Sequence, residues 1–274
     1  MKLIRTIEEI KGICKGDDIG LVPTMGYLHE GHASLIKRSV KENEITIVSI
    51  FINPTQFLPG EDLSTYPRNL DADLSLCESL GVDYIFAPEA FEIYPTQSLT
   101  KVYINDLSNK LCGITRPGHF SGVCLVVLKL FNIIRPTNAY FGSKDFQQLA
   151  IVKQMVKDLN IPVNIVRCPI IREKSGLALS SRNSYLTEKE KENALVLYEA
   201  ITYAINSTED DVENLKLKLH EIISKKAKVD YIEIVDIETL SNVSNFKRPS
   251  QLILAAYVGN TRLIDNSKLE AKEK

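Results

Sequence analysis

The sequence predicts an α/β protein, a doubly wound parallel sheet followed by a smaller α+β domain, and three observations carry that expectation. Apolar, β-rich runs recur through the first two thirds of the chain. Segments of helical character separate them, the alternation from which a doubly wound domain is built. After about Tyr185 the texture changes to long charged helical stretches followed by apolar runs.

In chain order, the expected strands are Ile19 to Pro23, Ile45 to Ile52, Val82 to Pro88, Ala139 to Phe141 and Val163 to Ile171. The helices between them are Ser34 to Glu42, Asp71 to Leu80, Val123 to Ile134 and Lys144 to Leu159. Ligands in such sheets sit beyond the carboxyl ends of the strands. The second part is expected to hold helices at Thr187 to Asn206 and Asp211 to Ala227, then strands at Val229 to Val235 and Leu252 to Val258. The polar cluster Ser181 to Ser184 is the expected hinge, and the last eight or so residues are expected to fray.

At 274 residues and 44% hydrophobic, the chain is large enough to bury a core in one large domain or two smaller ones. Lys and Arg number 33 against 35 Asp and Glu, so no global positive field would hold nucleic acid or an anionic membrane. Small molecules are the expected ligands. Five scattered cysteines without a C-x-x-C pair argue against a disulfide framework or a zinc site and fit a reducing cytoplasm. The N-terminal MKLIRTIEEIKGICKGDD resembles neither a signal nor a transit peptide, and no stretch approaches a membrane span.

The segment Val22-Pro23-Thr24-Met25-Gly26-Tyr27-Leu28-His29-Glu30-Gly31-His32 follows the first expected strand and leads into a helix expected to begin near Ala33. A strand, a glycine turn and a helix start make a phosphate site, because unpaired main-chain amides and the helix dipole meet there. His29 and His32, two of the four histidines, are three residues apart and would share one face of the first helical turn. A lone histidine at a helix start more often caps backbone; H-x-G-H after a strand favours a ligand. Neither G-x-x-x-x-G-K-[ST] nor G-x-G-x-x-G occurs, so ATP or a dinucleotide would have to be held another way.

The string PTMGYLHEGH resembles the HIGH-motif nucleotidyltransferases and, at its full length, the pantoate–β-alanine ligase family among them. Four further blocks agree: Asn53-Pro54-Thr55-Gln56-Phe57, Arg116 to Val123, Phe141 to Gln148, and Gly176 to Asn183; Arg262-Leu263-Ile264-Asp265-Asn266 echoes the family's ending. Leu58 departs from the glycine usual after Gln-Phe, which affects the local loop. The resemblance implies a Rossmann-like domain over 1–174 that binds ATP and pantoate. It also implies a smaller domain over 175–274, with a counterpart of the synthetases' KMSKS loop at the junction.

The activity so implied is ATP-dependent joining of pantoate to β-alanine through a pantoyl adenylate, by a cytoplasmic homodimer expected to use Mg²⁺. The residues implied to touch ATP are Met25, Gly26, Tyr27, Leu28, His29, Glu30, Gly31, His32, Gly142, Ser143, Lys144, Asp145, Ile171, Leu179, Ser180, Ser181 and Arg182. Of these, His29, His32, Lys144, Ser180, Ser181 and Arg182 form the expected catalytic set. Adenylate formation gathers charge on phosphoryl oxygens, which a fixed ammonium at Lys144 favours, while two hydroxyls and a guanidinium suit the β- and γ-phosphates. Gln56 and Gln148 offer amide donors and acceptors to pantoate, and Gln56 also to β-alanine. Arg116 and His119 read equally as guides for the acid's carboxylate or as capping groups. Acidic residues at Glu61, Asp62, Asp71 and Asp73 read equally as helping to hold Mg²⁺ through water or as a solvated helix start, with Asp73 a weak metal candidate.

Overall fold

A computed structural model of the chain describes residues 1–14, 18–96 and 98–272. Positions 15–17 of the N-terminal segment and 273–274 of the expected frayed end lie outside the described residues. The chain divides into two compact units, one comprising residues 1–143 and 148–169, the other 144–147 and 170–274.

The first unit is built on a six-stranded, wholly parallel sheet. Its strands are β1 (Lys2–Ile4), β2 (Ile19–Thr24), β3 (Ile45–Ile50), β4 (Tyr84–Phe86), β5 (Asn138–Gly142) and β6 (Asn164–Cys168). They lie in the order β1-β4-β3-β2-β5-β6. Consecutive residues such as Leu21 and Val22, or Ile47 and Val48, are fully buried, as strands covered on both faces must be. The direction of winding reverses between β2 and β5, so the crevice beyond Thr24 and Gly142 is the ligand position that topology dictates.

Each expected strand and helix of this unit is present, with shifts at the ends. Helix α1 (Ile7–Ile13) and the short edge strand β1 were not foreseen; β1 has three residues, too few for a periodic signal. Helix α2 (Glu30–Glu42) starts earlier than expected, at Glu30 rather than near Ala33, because His29 caps it. Helix α3 (Leu70–Ser79) turns Asp73 and Cys77, one turn apart, into the core. That corrects the reading of its acidic start as solvated at position 73: Asp73 is 3% exposed. Two single-turn helices, α4 (Ala90–Ile93) and α5 (Cys112–Thr115), precede α6 (His119–Ile134), an almost wholly apolar helix buried along most of its length. A 3-10 turn at Ser143–Asp145 leads into α7 (Phe146–Asp158).

In the second unit, helices α8 (Glu188–Asn206) and α9 (Val212–Ile223) pack on an antiparallel sheet of β7 (Lys228–Asp236), β8 (Ser250–Val258) and β9 (Thr261–Leu269). Thr187 opens α8 with a reciprocal cap to Glu190. Strand β9 corrects the expected frayed end: Ser267 to Leu269 pair with β8 and Leu269 is 3% exposed. Apolar pairing along a strand thus outweighed the polar look of the tail.

Candidate active site

The loop after β2 is shaped by the side chains of Thr24 and Asp73. Thr24 Oγ1 donates to Ser49 O on β3 (2.7 Å) and accepts from the Gly26 amide (3.1 Å). Gly26 and Tyr27 then take left-handed conformations, φ 80° and 53°. For a tyrosine that is costly and needs outside support. Asp73 supplies it: its two carboxylate oxygens accept from the amides of Tyr27 (2.8 Å) and Leu28 (2.7 Å). Burial raises the Asp73 carboxyl above its ordinary range, and the two amide bonds oppose that rise. The weak metal candidate therefore has both oxygens engaged by the main chain.

His29 and His32 form a reciprocal cap on α2. His29 Nδ1 accepts from the Gly31 amide (3.1 Å), and His32 Nδ1 accepts from the His29 amide (3.3 Å). An Nδ1 that accepts carries no proton, so the neutral ring of each is the Nε2–H tautomer. The two rings lie 4.1 Å apart. Capping and ligand binding, posed as rivals by the sequence, are thus compatible: the cap uses Nδ1 and orients Nε2.

The Asn53–Gln56 turn after β3 seats against α6. Asn53 Nδ2 donates to Gly122 O (3.1 Å) and Gln56 Oε1 (3.0 Å), and Gln56 Nε2 approaches Met25 Sδ (3.1 Å). A Cβ on Gly122 would meet Thr55 O at 2.2 Å, so only glycine allows this approach. Tyr94 Oη donates to Asn53 Oδ1 (2.9 Å). Gln56 is 9% exposed.

Arg116 and His119, left open between two roles, support the same turn. Arg116 grips Glu61 with two nitrogens at 2.6 Å. His119 Nδ1 donates to Gln56 O (2.7 Å), and its Nε2 accepts from Arg116 (3.0 Å). A carbonyl only accepts and a guanidinium only donates, so His119 is neutral with its proton on Nδ1. Burial disfavours the Glu61 charge, but the Arg116 bond and the Leu58 amide outweigh it and hold that carboxyl below its ordinary range. The Leu58 amide, at the position that departs from the family, closes this loop onto Glu61 (3.0 Å).

Ser143, at the end of β5 and 3% exposed, ties that strand to β6: its hydroxyl donates to Cys168 O (2.7 Å) and accepts from Arg167 (2.8 Å). Gly142 precedes it and Gln148 lies half-buried on α7.

Within the second unit, Lys144 Nζ lies 3.7 Å from the half-exposed Asp145 carboxylate. Residues 171–179 close as a tight hairpin, with Leu179 N on Ile171 O (3.0 Å) and Glu173 N on Leu177 O (2.8 Å). Gly176 sits at its tip with φ 99°, and a Cβ there would meet the Tyr198 ring at 2.1 Å. Ser180 Oγ then accepts from the Arg182 amide (3.3 Å) and opens a 3-10 turn, Ser181–Tyr185, in which Ser181 and Asn183 are buried. Asn183 Nδ2 donates back to Ala178 O (3.1 Å).

Among the described residues no group of three or more His, Cys, Asp or Glu side chains is placed to hold a metal ion. That donor set does not make a protein cage for Mg²⁺, which binds readily through phosphate oxygens and water instead.

Residues 2–268 match the family described as Pantoate-beta-alanine ligase. Pantothenate synthetase of Clostridium botulinum (strain Kyoto / Type A2) is 51% identical, the alignment covering 97% of this chain and 98% of the relative. That of Caldicellulosiruptor bescii is also 51% identical, over 99% of this chain and 100% of the relative. The crystal structure of pantothenate synthetase from Thermus thermophilus superposes with a TM-score of 0.95 at 41% identity, covering 100% of both chains. Pantoate-beta-alanine ligase from Francisella tularensis, solved with beta-gamma ATP and beta-alanine, gives a TM-score of 0.83 at 42% identity over 97% of each chain.

Proposed function

The chain belongs to the pantoate–β-alanine ligase family and is an ATP-dependent ligase that condenses pantoate with β-alanine; on that premise we propose how its residues divide the work. The observation that carries the assignment is the His29–His32 pair, locked by its own cap at the helix start beyond the switch-point strand β2.

A carboxylate is a poor acyl donor because its leaving group would be oxide. The pantoate carboxylate therefore first attacks the α-phosphorus of ATP in line, and the bond to the bridging oxygen breaks to release pyrophosphate. The unprotonated amine of β-alanine then attacks the acyl carbon of the adenylate, AMP leaves with the bonding pair, and the amine loses a proton to give pantothenate. No side chain becomes a covalent intermediate, so positioning and charge stabilisation carry the rate.

His29 and His32 present Nε2–H to the triphosphate, with the main chain of Met25, Gly26, Tyr27, Leu28, Glu30 and Gly31 lining its path. Lys144 favours the transition state by stabilising the growing negative charge; Ser180, Ser181 and Arg182 hold the β- and γ-phosphates. Gly142, Ser143, Asp145, Ile171 and Leu179 complete the nucleotide contacts. Gln56 and Gln148 hold pantoate, and Gln56 serves β-alanine as well. Mg²⁺ would accompany ATP and would supply charge neutralisation on the triphosphate beside Lys144 and Arg182. A cytoplasmic homodimer is the assembly we expect. None of the five cysteines forms a disulfide, which supports a reducing compartment, and no described helix is long and apolar enough to cross a membrane. Sedimentation at working concentration tests the dimer.

The test is AMP formation with ATP and pantoate, with and without β-alanine. Amine-dependent AMP release together with amine-independent pyrophosphate release in a single turnover is the expected result. AMP formation without pantoate, or none with both substrates, defeats the assignment.

A further inference from the structure

The motif Arg262 to Asn266 has no part in the chemistry above, yet two of its side chains are among the most buried polar groups of the second unit. Asp265 and Asn266, on β9, are each 2% exposed. Asp265 closes both oxygens on the Arg172 guanidinium, at 2.6 and 2.8 Å. Arg172 in turn donates to Gly176 O (3.1 Å) and stacks over the Tyr198 ring at 4.9 Å. This braces the hairpin that leads into Ser180, Ser181 and Arg182.

Asn266 Nδ2 donates to the main-chain carbonyl of Lys144 at 2.8 Å. A second bond fixes the orientation of this carboxamide: Gln251 Nε2, on β8, donates to Asn266 Oδ1 (2.8 Å), while the Asn266 main-chain N–H donates to Asp265 Oδ1 (2.8 Å). Gln251 is 1% exposed, and its own Oε1 is buried without a hydrogen-bond partner among the described residues. The Gln251 side chain is thus engaged through its Nε2, on the Asn266 carboxamide.

We propose that Asp265 and Asn266 are positioning residues for the ligase reaction. One strand, β9, sets both the main chain of Lys144 and the hairpin carrying Ser180 to Arg182, so that two phosphate-handling groups share a single rigid reference. This rests on the assignment of Lys144 to the triphosphate. Holding reacting groups to a fraction of an ångström is worth large factors in rate, and a displacement of about 1 Å costs up to about 10²-fold.

The experiment measures pyrophosphate release from ATP and pantoate by Lys144→Ala, Asn266→Asp and the double variant, with thermal melting of each. Asn266→Asp keeps the acceptor for Gln251 but sets a carboxylate oxygen against the Lys144 carbonyl. The expected result for Asn266→Asp is a fall in kcat of about 10-fold to 10²-fold with little change in the pantoate KM, and no further loss when it is added to Lys144→Ala. Normal turnover by Lys144→Ala defeats the assignment of Lys144 itself. A crippled Lys144→Ala beside a normal Asn266→Asp, or losses that multiply in the double variant, defeats the positioning role alone. Gln251→Met, which only releases the Asn266 oxygen, gives the same measurement should Asn266→Asp not fold: a smaller fall in kcat with KM unchanged supports the proposal, and unchanged kcat overturns it.

Discussion

Each unit carries a segment to which we assign phosphate handling, the loop before His29 in the first and the hairpin before Ser180 in the second, and each is held from behind by a buried aspartate used in a different way. Asp73 accepts two main-chain amides and so fixes the left-handed path of Gly26 and Tyr27. Asp265 grips a guanidinium and so fixes a side chain, Arg172, which braces a hairpin. A carboxylate that holds amides keeps the cost of its own burial, which is why the Asp73 carboxyl is raised. One that holds a cation is neutralised by it, and its loss leaves a charge behind. Backbone shape in one loop and side-chain placement in the other are therefore protected by bonds of different fragility.

The largest test of this contrast is catalytic. His32→Ala in the first unit and Lys144→Ala in the second should each lower kcat for pyrophosphate release by about 10²-fold to 10³-fold, the usual loss for one preorganised donor, with pantoate KM little changed. Near-normal turnover in either variant would leave that side chain without a part in the chemistry. Next in size is Asp265→Asn, which breaks the grip on a partly buried guanidinium and should destabilise the protein by about 3 kcal/mol in denaturant titration. Asp73→Asn should cost less, about 1 kcal/mol, because one amide loses its acceptor while a buried charge is also removed. If Asp73→Asn proves the more damaging of the two, the contrast is drawn the wrong way round.

The smallest effect is in pH dependence, where the sign is diagnostic. In the fold Asp73 keeps its proton to higher pH than its ordinary 3.8, so its contribution to stability is greatest below that value and declines as pH rises through the folded value. Glu61 behaves oppositely: held below its ordinary 4.5 by Arg116, it contributes fully above 4.5 and loses that contribution as pH falls through the lower folded value. Melting temperatures relative to the parent, scanned from about pH 3 to 6, should thus rise with pH for Asp73→Asn and fall with pH for Glu61→Gln. Parallel slopes would show that these carboxylates are not perturbed as their surroundings dictate.

Much of this was legible in the sequence because it is written locally. The parallel strands announced themselves as apolar runs, and the histidine pair as a three-residue spacing after a strand. What was not legible depends on contacts across long stretches of chain. Asp73 read as one more acid at a helix start because nothing in Asn69 to Asp73 tells that the helix turns it inward under a loop 45 residues away. Arg116 looked available for a substrate carboxylate because Glu61 is 55 residues distant. Strand β9 was missed although Gly259-Asn260 between two runs is a hairpin signal, its polar Asp265, Asn266 and Lys268 obscuring the alternation. The first two of those polar residues are the ones that grip Arg172 and Lys144.

The spacing of the two grips along the chain also orders their assembly in time. A ribosome that has just finished Tyr27 and Leu28 adds only some 45 residues before Asp73 emerges to hold them. Arg172 waits through 93 residues for Asp265, and Lys144 through 122 for Asn266. In closure entropy the longer wait is modest, about 0.6 kcal/mol for each doubling of the segment. In sequence of events it is decisive: the first loop can be set while the second unit is still being made, and the second loop stays unbraced until β9 has been synthesised and paired.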